Sequence, residues 1–321
     1  MYVLELGGED DQFAATEAGV AANDVEVVAP GIATAGTLDA DRFRSLAFGR
    51  RAGQLIGRCD SSPSDAAAVL RATTIDRDGT VAVRARDVRG TATVDTQAIE
   101  RTVGQALVER GFDVDLETPD HVLLVLCADE ECLLAWQVVE SERGYGDRLP
   151  TDRPFFQPGS MDPLLARAVV NLARVEPGDV VLDPMCGTGG LLIETGLVGG
   201  RPLGFDAQEK MVRGTRLNLA EYLDGDWDVC RADATRLPLR DGAIDAVVFD
   251  APYGRQSKIE RHGLGDLVSG ALEEVRRVAL RGVLVADRSW RVAAEAAGWT
   301  VEHVFERRVH RSLDRYVHLL R

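Results

Sequence analysis

"VVLDPMCGTGGLLIE" occupies Val180–Glu194. An apolar run ends in an acid, Asp183, and a glycine-rich turn, Gly187-Thr188-Gly189-Gly190, leads into an apolar helical stretch. Glycines in such a turn let backbone approach a ligand with no Cβ in the way. Outward from it the pattern repeats. Strand "PLGFD" precedes a long helix through "KMVRGTRLNLAEYL". Strands "WDVCRAD" and "AIDAVVFD" follow, then helix "GDLVSGALEEVRRVAL", strand "GVLVAD" and a short helix, "WRVAAEAAG". Alternation of this kind predicts an α/β fold with a mostly parallel, doubly wound sheet. The chain closes with "WTVEHVFERRV" (Trp299–Val309) and "RYVHLLR" (Arg315–Arg321). Two strands with no helix between them make a terminal hairpin, which brings an antiparallel strand into the sheet.

Upstream the pattern is α+β. Residues 1–60 alternate apolar pieces, "YVLEL" and "DVEVVAPGIATA", with a stretch read as helix, "DADRFRSLAFGRRAGQLIG" (Asp39–Gly57). Residues 61–145 hold the strand "TVAVRARDV", in which Val81, Val83 and Ala85 alternate with Arg84 and Arg86. The helix "DTQAIERTVGQALVERG" follows, with Ile99, Val103, Ala106 and Leu107 on one face and Gly111 as its stop. Two further strands are "HVLLVLCA" and "CLLAWQVV". "ERGYGDRLPTDRPFFQPGS" (Glu142–Ser160) then reads as a linker, from its glycine, proline and charge.

Bulk properties describe a soluble globular protein, since 45% of the 321 residues are hydrophobic and 28% charged. No apolar run approaches the roughly 18 residues of a membrane helix, and the acidic N-terminus lacks the basic region of a secretory signal. Cys127 and Cys132 lie in apolar "VLLVLCADEECLLAW", which suits buried thiols better than metal ligands; no metal and a reducing cytoplasm are expected. The net charge of −15 argues against a polyanionic partner when taken alone. Its makeup changes that reading. Lys210 and Lys258 are the only lysines, all other basic residues are arginine, and aspartate is abundant. This bias is that of proteins from salt-rich cytoplasm, where repulsion is screened to within about 3 Å at 1 M salt.

Three acids stand at three successive strand ends: Asp183, Asp206 in "PLGFD" and Asp233 in "CRAD". They share the carboxyl edge, where open α/β sheets bind ligands. The turn after Asp183 is not G-x-G-x-x-G, and a dinucleotide pyrophosphate wants a bare helix N-terminus. A carboxylate there suits the ammonium of S-adenosylmethionine. Asp206 is placed for ribose hydroxyls, and Asp233, before Ala234, for the adenine amine. Nicotinamide-binding folds do not usually end in a terminal hairpin; methyltransferase folds do.

The fourth strand ends in "VVFDAPYGRQ" (Val247–Gln256). An aromatic amine holds its lone pair in the ring and attacks a sulfonium methyl poorly. Accepting both its hydrogens, through the Asp250 carboxylate and the Ala251 carbonyl, favours a pyramidal nitrogen. Hydrogen bonds to charged groups contribute about 1.5–3 kcal/mol, whereas in-line positioning removes about 7–11 kcal/mol of barrier. Orientation therefore outweighs Asp250 acting as a base. Pro252 fixes the backbone, and Tyr253 offers a face on which a base can stack. The segment resembles the (Asp/Asn)-Pro-Pro-(Tyr/Phe) motif of amine methyltransferases, with Ala251 where a proline is usual; the main-chain carbonyl survives that change.

Taken together, these residues resemble the archaeal tRNA guanine-10 N(2)-methyltransferase/dimethyltransferase family. "VAVRARDVRG", "IERTVGQALVERG" and "VDLETPDHVLLVLC" follow the order of its THUMP domain. "RPFFQPGSMDPLLARAVVNLA" is similar to the family's entry into the catalytic domain, and "VHRSLDRYVHLL" to its end. The resemblance implies a ferredoxin-like domain at 1–60, a THUMP domain at 61–145 and a Rossmann-like methyltransferase domain with a seven-stranded sheet at 146–321. It implies cofactor contacts at Phe156, Pro158, Asp183, Cys186, Gly187, Gly189, Asp206, Asp233 and Ala234. It also implies a monomeric enzyme that adds one methyl, then a second, to a guanosine 2-amino group in tRNA. Phosphate contacts would come from Arg84, Arg86, Arg89, Arg311 and Arg315. The residues leave two other readings open: an adenine-amine methyltransferase on rRNA or DNA, and a non-catalytic RNA-binding protein with a methyltransferase fold.

Overall fold

The computed structural model describes residues 1–252, 263–310 and 313–321. They divide into two units, Met1–Arg143 and Gly144–Arg321. The first runs β1 (Tyr2–Leu6), α1 (Asp11–Ala18), β2 (Ala22–Asn23), β3 (Glu26–Ala29), β4 (Ile32–Ala35), β5 (Thr37–Leu38), α2 (Ala40–Arg44) and β6 (Gly49–Asp60). It continues through α3 (Pro63–Ala72), β7 (Thr80–Asp87), α4 (Thr96–Val108), β8 (Asp113–Val114), β9 (His121–Ala128) and β10 (Glu131–Glu140). Eight strands form one sheet in the order β3-β4-β1-β6-β10-β9-β7-β8, and β2 pairs with β5 apart from it. Residues 1–60 and 61–145, expected as two domains, thus contribute to a single sheet, joined where β6 meets β10.

Helix α4 forms as its periodicity dictates, with Asp95 capping Ala98 N and Ile99, Val103, Ala106 and Leu107 buried. The helix expected over Asp39–Gly57 is a correction. It ends at Arg44, and the 12-residue strand β6 takes over from Gly49. The reason is tertiary. β6 lies between β1 and β10, and a Cβ on Gly53 would stand 2.7 Å from the Trp136 carbonyl oxygen. Close strand approach at this point requires glycine. Cys127 and Cys132, expected as thiols, face each other in the β9–β10 register and form a disulfide, with Cα atoms 4.1 Å apart.

The second unit holds α5 (Pro163–Leu172), β11 (Val180–Asp183), α6 (Gly190–Leu197), β12 (Arg201–Asp206), α7 (Glu209–Tyr222), β13 (Asp228–Arg231) and β14 (Ala246–Asp250). Then come α8 (Gly263–Val278), β15 (Gly282–Ala286), α9 (Arg291–Ala296), β16 (Val301–His310) and β17 (Leu313–Leu320). The seven strands take the order β13-β12-β11-β14-β15-β17-β16. Strands β11 to β15 pair in parallel, and β17 runs antiparallel to both β15 and β16, as the terminal hairpin predicts. Phe249, Val247 and Leu284 of the sheet pack with Val268, Leu272 and Val275 of α8 in the core. No helix among the described residues is long and apolar enough to cross a membrane.

The stretch read as a linker is built into this unit from Gly144 onward. Arg148 Nε lies 2.6 Å from the fully buried Glu194 carboxylate, which Arg167 also meets at 2.9 Å. The charge that reads as solvated loop in the sequence is the counter-charge of a helix carboxylate. Removing one partner of a buried ion pair costs about 3–5 kcal/mol. Glu194→Ala is therefore expected to lower stability by about that amount, read as a shifted midpoint in urea denaturation; an unshifted midpoint refutes the anchoring role.

Candidate functional site

Strands β12, β11 and β14 are adjacent and parallel, so their C-terminal acids, Asp206, Asp183 and Asp250, come to one edge of the sheet. A cavity of about 180 Å³ opens there, with Pro158, Gly159, Asp183, Cys186, Gly187 and Asp250 in its wall. Asp183 is only 2% exposed and accepts a hydrogen bond from Met185 N at 3.0 Å. Burial pushes its carboxyl well above the usual carboxylate range, and the Asp250 and Asp206 carboxylates push the same way. Asp206 is also raised by burial, against the backbone N–H groups of Gln208 (2.8 Å) and Gly187 (3.1 Å), which donate to it. The buried Cys186 thiol is driven up by burial and by the Asp183 and Asp206 carboxylates. The cavity is an acidic recess that favours a cationic ligand.

The glycine turn is held from below. Gly187 and Gly189 have φ of +53° and +80°, which only glycine adopts cheaply. A Cβ on Gly189 would also meet Thr215 Cγ2 at 2.7 Å. Thr215 Oγ1 donates to the Gly187 carbonyl at 2.7 Å, and Asn218 Nδ2 donates to the carbonyls of Thr188 and Phe155, both at 2.8 Å. Asn218 Oδ1 accepts from Phe155 N at 2.8 Å. One helix side chain thereby ties the turn to the segment that carries Pro158 and Gly159. The sequence reading missed Thr215 and Asn218. Their signal is two small polar residues three apart, on a face of α7 whose other buried members include Val212 and Leu219.

Among the expected cofactor residues, Pro158, Asp183, Cys186 and Gly187 line the cavity; Gly189 and Asp206 support the turn behind it. Asp233 and Ala234 are not in the cavity wall. Asp233 is exposed, and its carboxylate accepts from Thr235 N and Oγ1 at 2.9 and 2.8 Å. Phe156 is 43% exposed, while its neighbour Phe155 packs where a Cβ on Gly214 would stand. Asp250 lines the cavity and Ala251 is buried, its N–H donating to Val285 O at 2.8 Å. Pro252 ends the described stretch; Tyr253 and Arg311 lie outside the described residues.

The arginines sort differently from expectation. Arg315 is 3% exposed, so a role on an open phosphate-binding surface does not suit its place. In the first unit, Arg84 donates to the Leu116 carbonyl at 2.7 Å and Arg89 is paired with Asp11. Arg86 stands 3.9 Å from Glu5. Arg50, Arg86 and Arg89 share a recess with Gly7 and Gly8. They do so in a strongly acidic setting, for Met1–Arg143 contains 26 acidic and 13 basic side chains. No cluster of three or more His, Cys, Asp or Glu among the described residues could hold a metal ion.

Comparison with known proteins bears on both units. Residues 150–317 match the family described as "RMKL-like, methyltransferase domain", and residues 64–136 match the THUMP domain. The tRNA (guanine(10)-N2)-dimethyltransferase of Methanothermobacter thermautotrophicus is 39% identical over 74% of this chain and 72% of its own length. The enzyme of the same name from Pyrococcus abyssi is 33% identical over 75% of this chain and 74% of its own. The crystal structure of TrmN from Thermus thermophilus shares the fold, with a TM-score of 0.51, 23% identity and coverage of 99% and 98% of the two chains.

The raised carboxyls have a thermodynamic consequence. A folded-state carboxyl held above its unfolded value favours the native state at low pH, and that contribution is lost as pH rises through the raised value. Burial raises both Asp183 and Asp206. Without ligand, the melting temperature is expected to fall as pH climbs from the ordinary aspartate range toward neutrality. Asp183→Asn should flatten that slope and melt higher at pH 7, by about 2–4 °C for each kcal/mol of relieved repulsion. Scanning fluorimetry across pH reads this directly; an unchanged slope shows that Asp183 is not under the strain its burial implies.

Proposed function

The chain belongs to the tRNA (guanine(10)-N2)-dimethyltransferase family, and on that premise we propose that it transfers methyl groups from S-adenosylmethionine to the exocyclic 2-amino group of a guanosine in tRNA, at position 10. The observation that carries this reading is the place of Asp250. It ends a strand beside Asp183 and lines the same cavity as the glycine turn. A reacting amine at that rim and a methyl donor in the recess would be neighbours.

The residues fit the cofactor. Asp183 is a buried carboxylate with no ion-pair partner among the described residues, and the cofactor's ammonium would supply one. Asp206 keeps acceptor capacity for ribose hydroxyls beyond its two backbone bonds. Gly187 leaves the turn without a side chain where the ligand would approach. When bound, the cofactor supplies an electrophilic methyl on a sulfonium.

The chain's own groups do the rest. Asp250 and the Ala251 carbonyl accept the two amine hydrogens and turn the nitrogen lone pair toward the recess. Pro252 stiffens that rim, and Tyr253 stacks on the base. Reaching a base inside folded tRNA requires flipping it out, at a few kcal/mol. The THUMP-bearing unit, through Arg84, Arg86 and Arg89, grips the tRNA so that the catalytic unit meets one nucleotide. The arginine-for-lysine bias and acidic surface suit work in a salt-rich cytoplasm.

The test is methyl transfer to an unmodified tRNA transcript at molar salt, followed by nucleoside mass spectrometry. N2-methylguanosine and N2,N2-dimethylguanosine are expected, and methyladenosine would replace this reading with the adenine one. Asp250→Ala should bind cofactor in calorimetry as the wild type does, yet lose at least about 100-fold in single-turnover rate, the loss of an orienting acceptor. Undiminished turnover in that variant removes Asp250 from the chemistry.

A further inference from the structure

Arg315 is a buried cation with no part in the reaction as described. It lies near the start of β17, where the register Ala286↔Tyr316 and Asp250↔Val285 brings it to the sheet edge that holds Asp250. Its side chain is 4% exposed. Nη2 stands 3.9 Å from Asp250 Oδ2 and donates at 3.4 Å to the carbonyl of Gly159. Both neighbours line the cavity. One guanidinium thus spans the two walls that meet around the reacting groups.

We propose that Arg315 is a positioning residue: it holds the Asp250 carboxylate ionised and fixed in orientation while clamping the Gly159 wall against it. This rests on the amine-acceptor role given to Asp250 above. The charged groups around Asp250 pull in opposite directions. Asp183 at the end of β11, with Asp206 beyond it on β12, favours a protonated carboxyl, which has one fewer acceptor site for an amine hydrogen. Arg315, from β17, favours the ionised form, and arginine keeps its charge at every working pH. A cation within about 4–6 Å lowers a carboxyl pKa by roughly 1–3 units, and with Arg315 buried and Asp250 only partly exposed, salt screens the pair less than it would a surface pair. Both contacts run through the one Nη2 atom, so the hydrogen bond to Gly159 fixes where the cation stands relative to Asp250.

The experiment uses the full chain without nucleic acid. Aspartate carboxyls are labelled with carbon-13, the Asp250 signal is identified by its loss in Asp250→Asn, and its titration is followed in wild type, Arg315→Gln and Arg315→Lys. In wild type, Asp250 is expected to titrate below Asp183, whose signal is identified in the same way through Asp183→Asn; the reverse order overturns the proposal. Arg315→Gln should raise the Asp250 proton affinity by about tenfold or more, and Arg315→Lys should restore most of the difference. An Asp250 midpoint indifferent to Arg315 also overturns it, even if the variant melts lower, because a merely structural arginine would move stability and not this midpoint. On tRNA, the acidic limb of the single-turnover rate should move with the Asp250 midpoint. If wild type leaves tRNA guanosine unmethylated while the midpoint still follows Arg315, the assigned reaction fails and the electrostatic role of Arg315 stands.

Discussion

Three carboxylates gathered on one sheet edge set the terms for the second unit. Parallel pairing of β12, β11 and β14 puts Asp206, Asp183 and Asp250 side by side, and burial leaves two of them with their charge disfavoured. Among the described residues, those two receive backbone N–H groups in return, from Met185, Gly187 and Gln208. Such a recess is held open by its scaffold against its own repulsion. Perturbed carboxyls of this kind gather where ligands bind.

The scaffold that holds it is polar and buried. Thr215 and Asn218 hold the carbonyls of the glycine turn, and Asn218 also ties in Phe155. One helical turn along α6 from Gly190, Glu194 gathers Arg148 and Arg167. Arg153 lies beside them, its two terminal nitrogens buried without a hydrogen-bond partner among the described residues. Burial lowers its pKa, opposed chiefly by Glu194. Side chains locked in this way fix the entry segment and the turn as one piece, which a site needing sub-ångström placement requires.

Much of this was legible in the sequence. Strand–helix alternation and the paired final strands point to the mostly parallel sheet and its terminal hairpin, because hydrophobic period and connection type are local properties. The acids at strand ends were legible for the same reason. What failed was tertiary. The stretch Asp39–Gly57 carries a helical composition, yet from Gly49 onward its backbone is committed to a strand between two partners. Glu142–Ser160 looked like a solvated connection because the carboxylate that neutralises Arg148 lies far along the chain, at Glu194. Arg315 reads as a phosphate contact because no sequence signal shows that Asp250 stands 3.9 Å away. The polar pair on α7 was within reach, as a break in an apolar helix face.

The excess of acids in Met1–Arg143 bears on how that unit meets its partners. A body of that charge repels a polyanion at long range, so no electrostatic funnel guides the encounter. Attraction sets in only inside the screening distance, about 8 Å in physiological saline and about 3 Å at 1 M. The arginines of the Gly7–Gly8 recess can then act by contact but not by steering. Capture of a polyanion by such a unit would be slow and governed by shape.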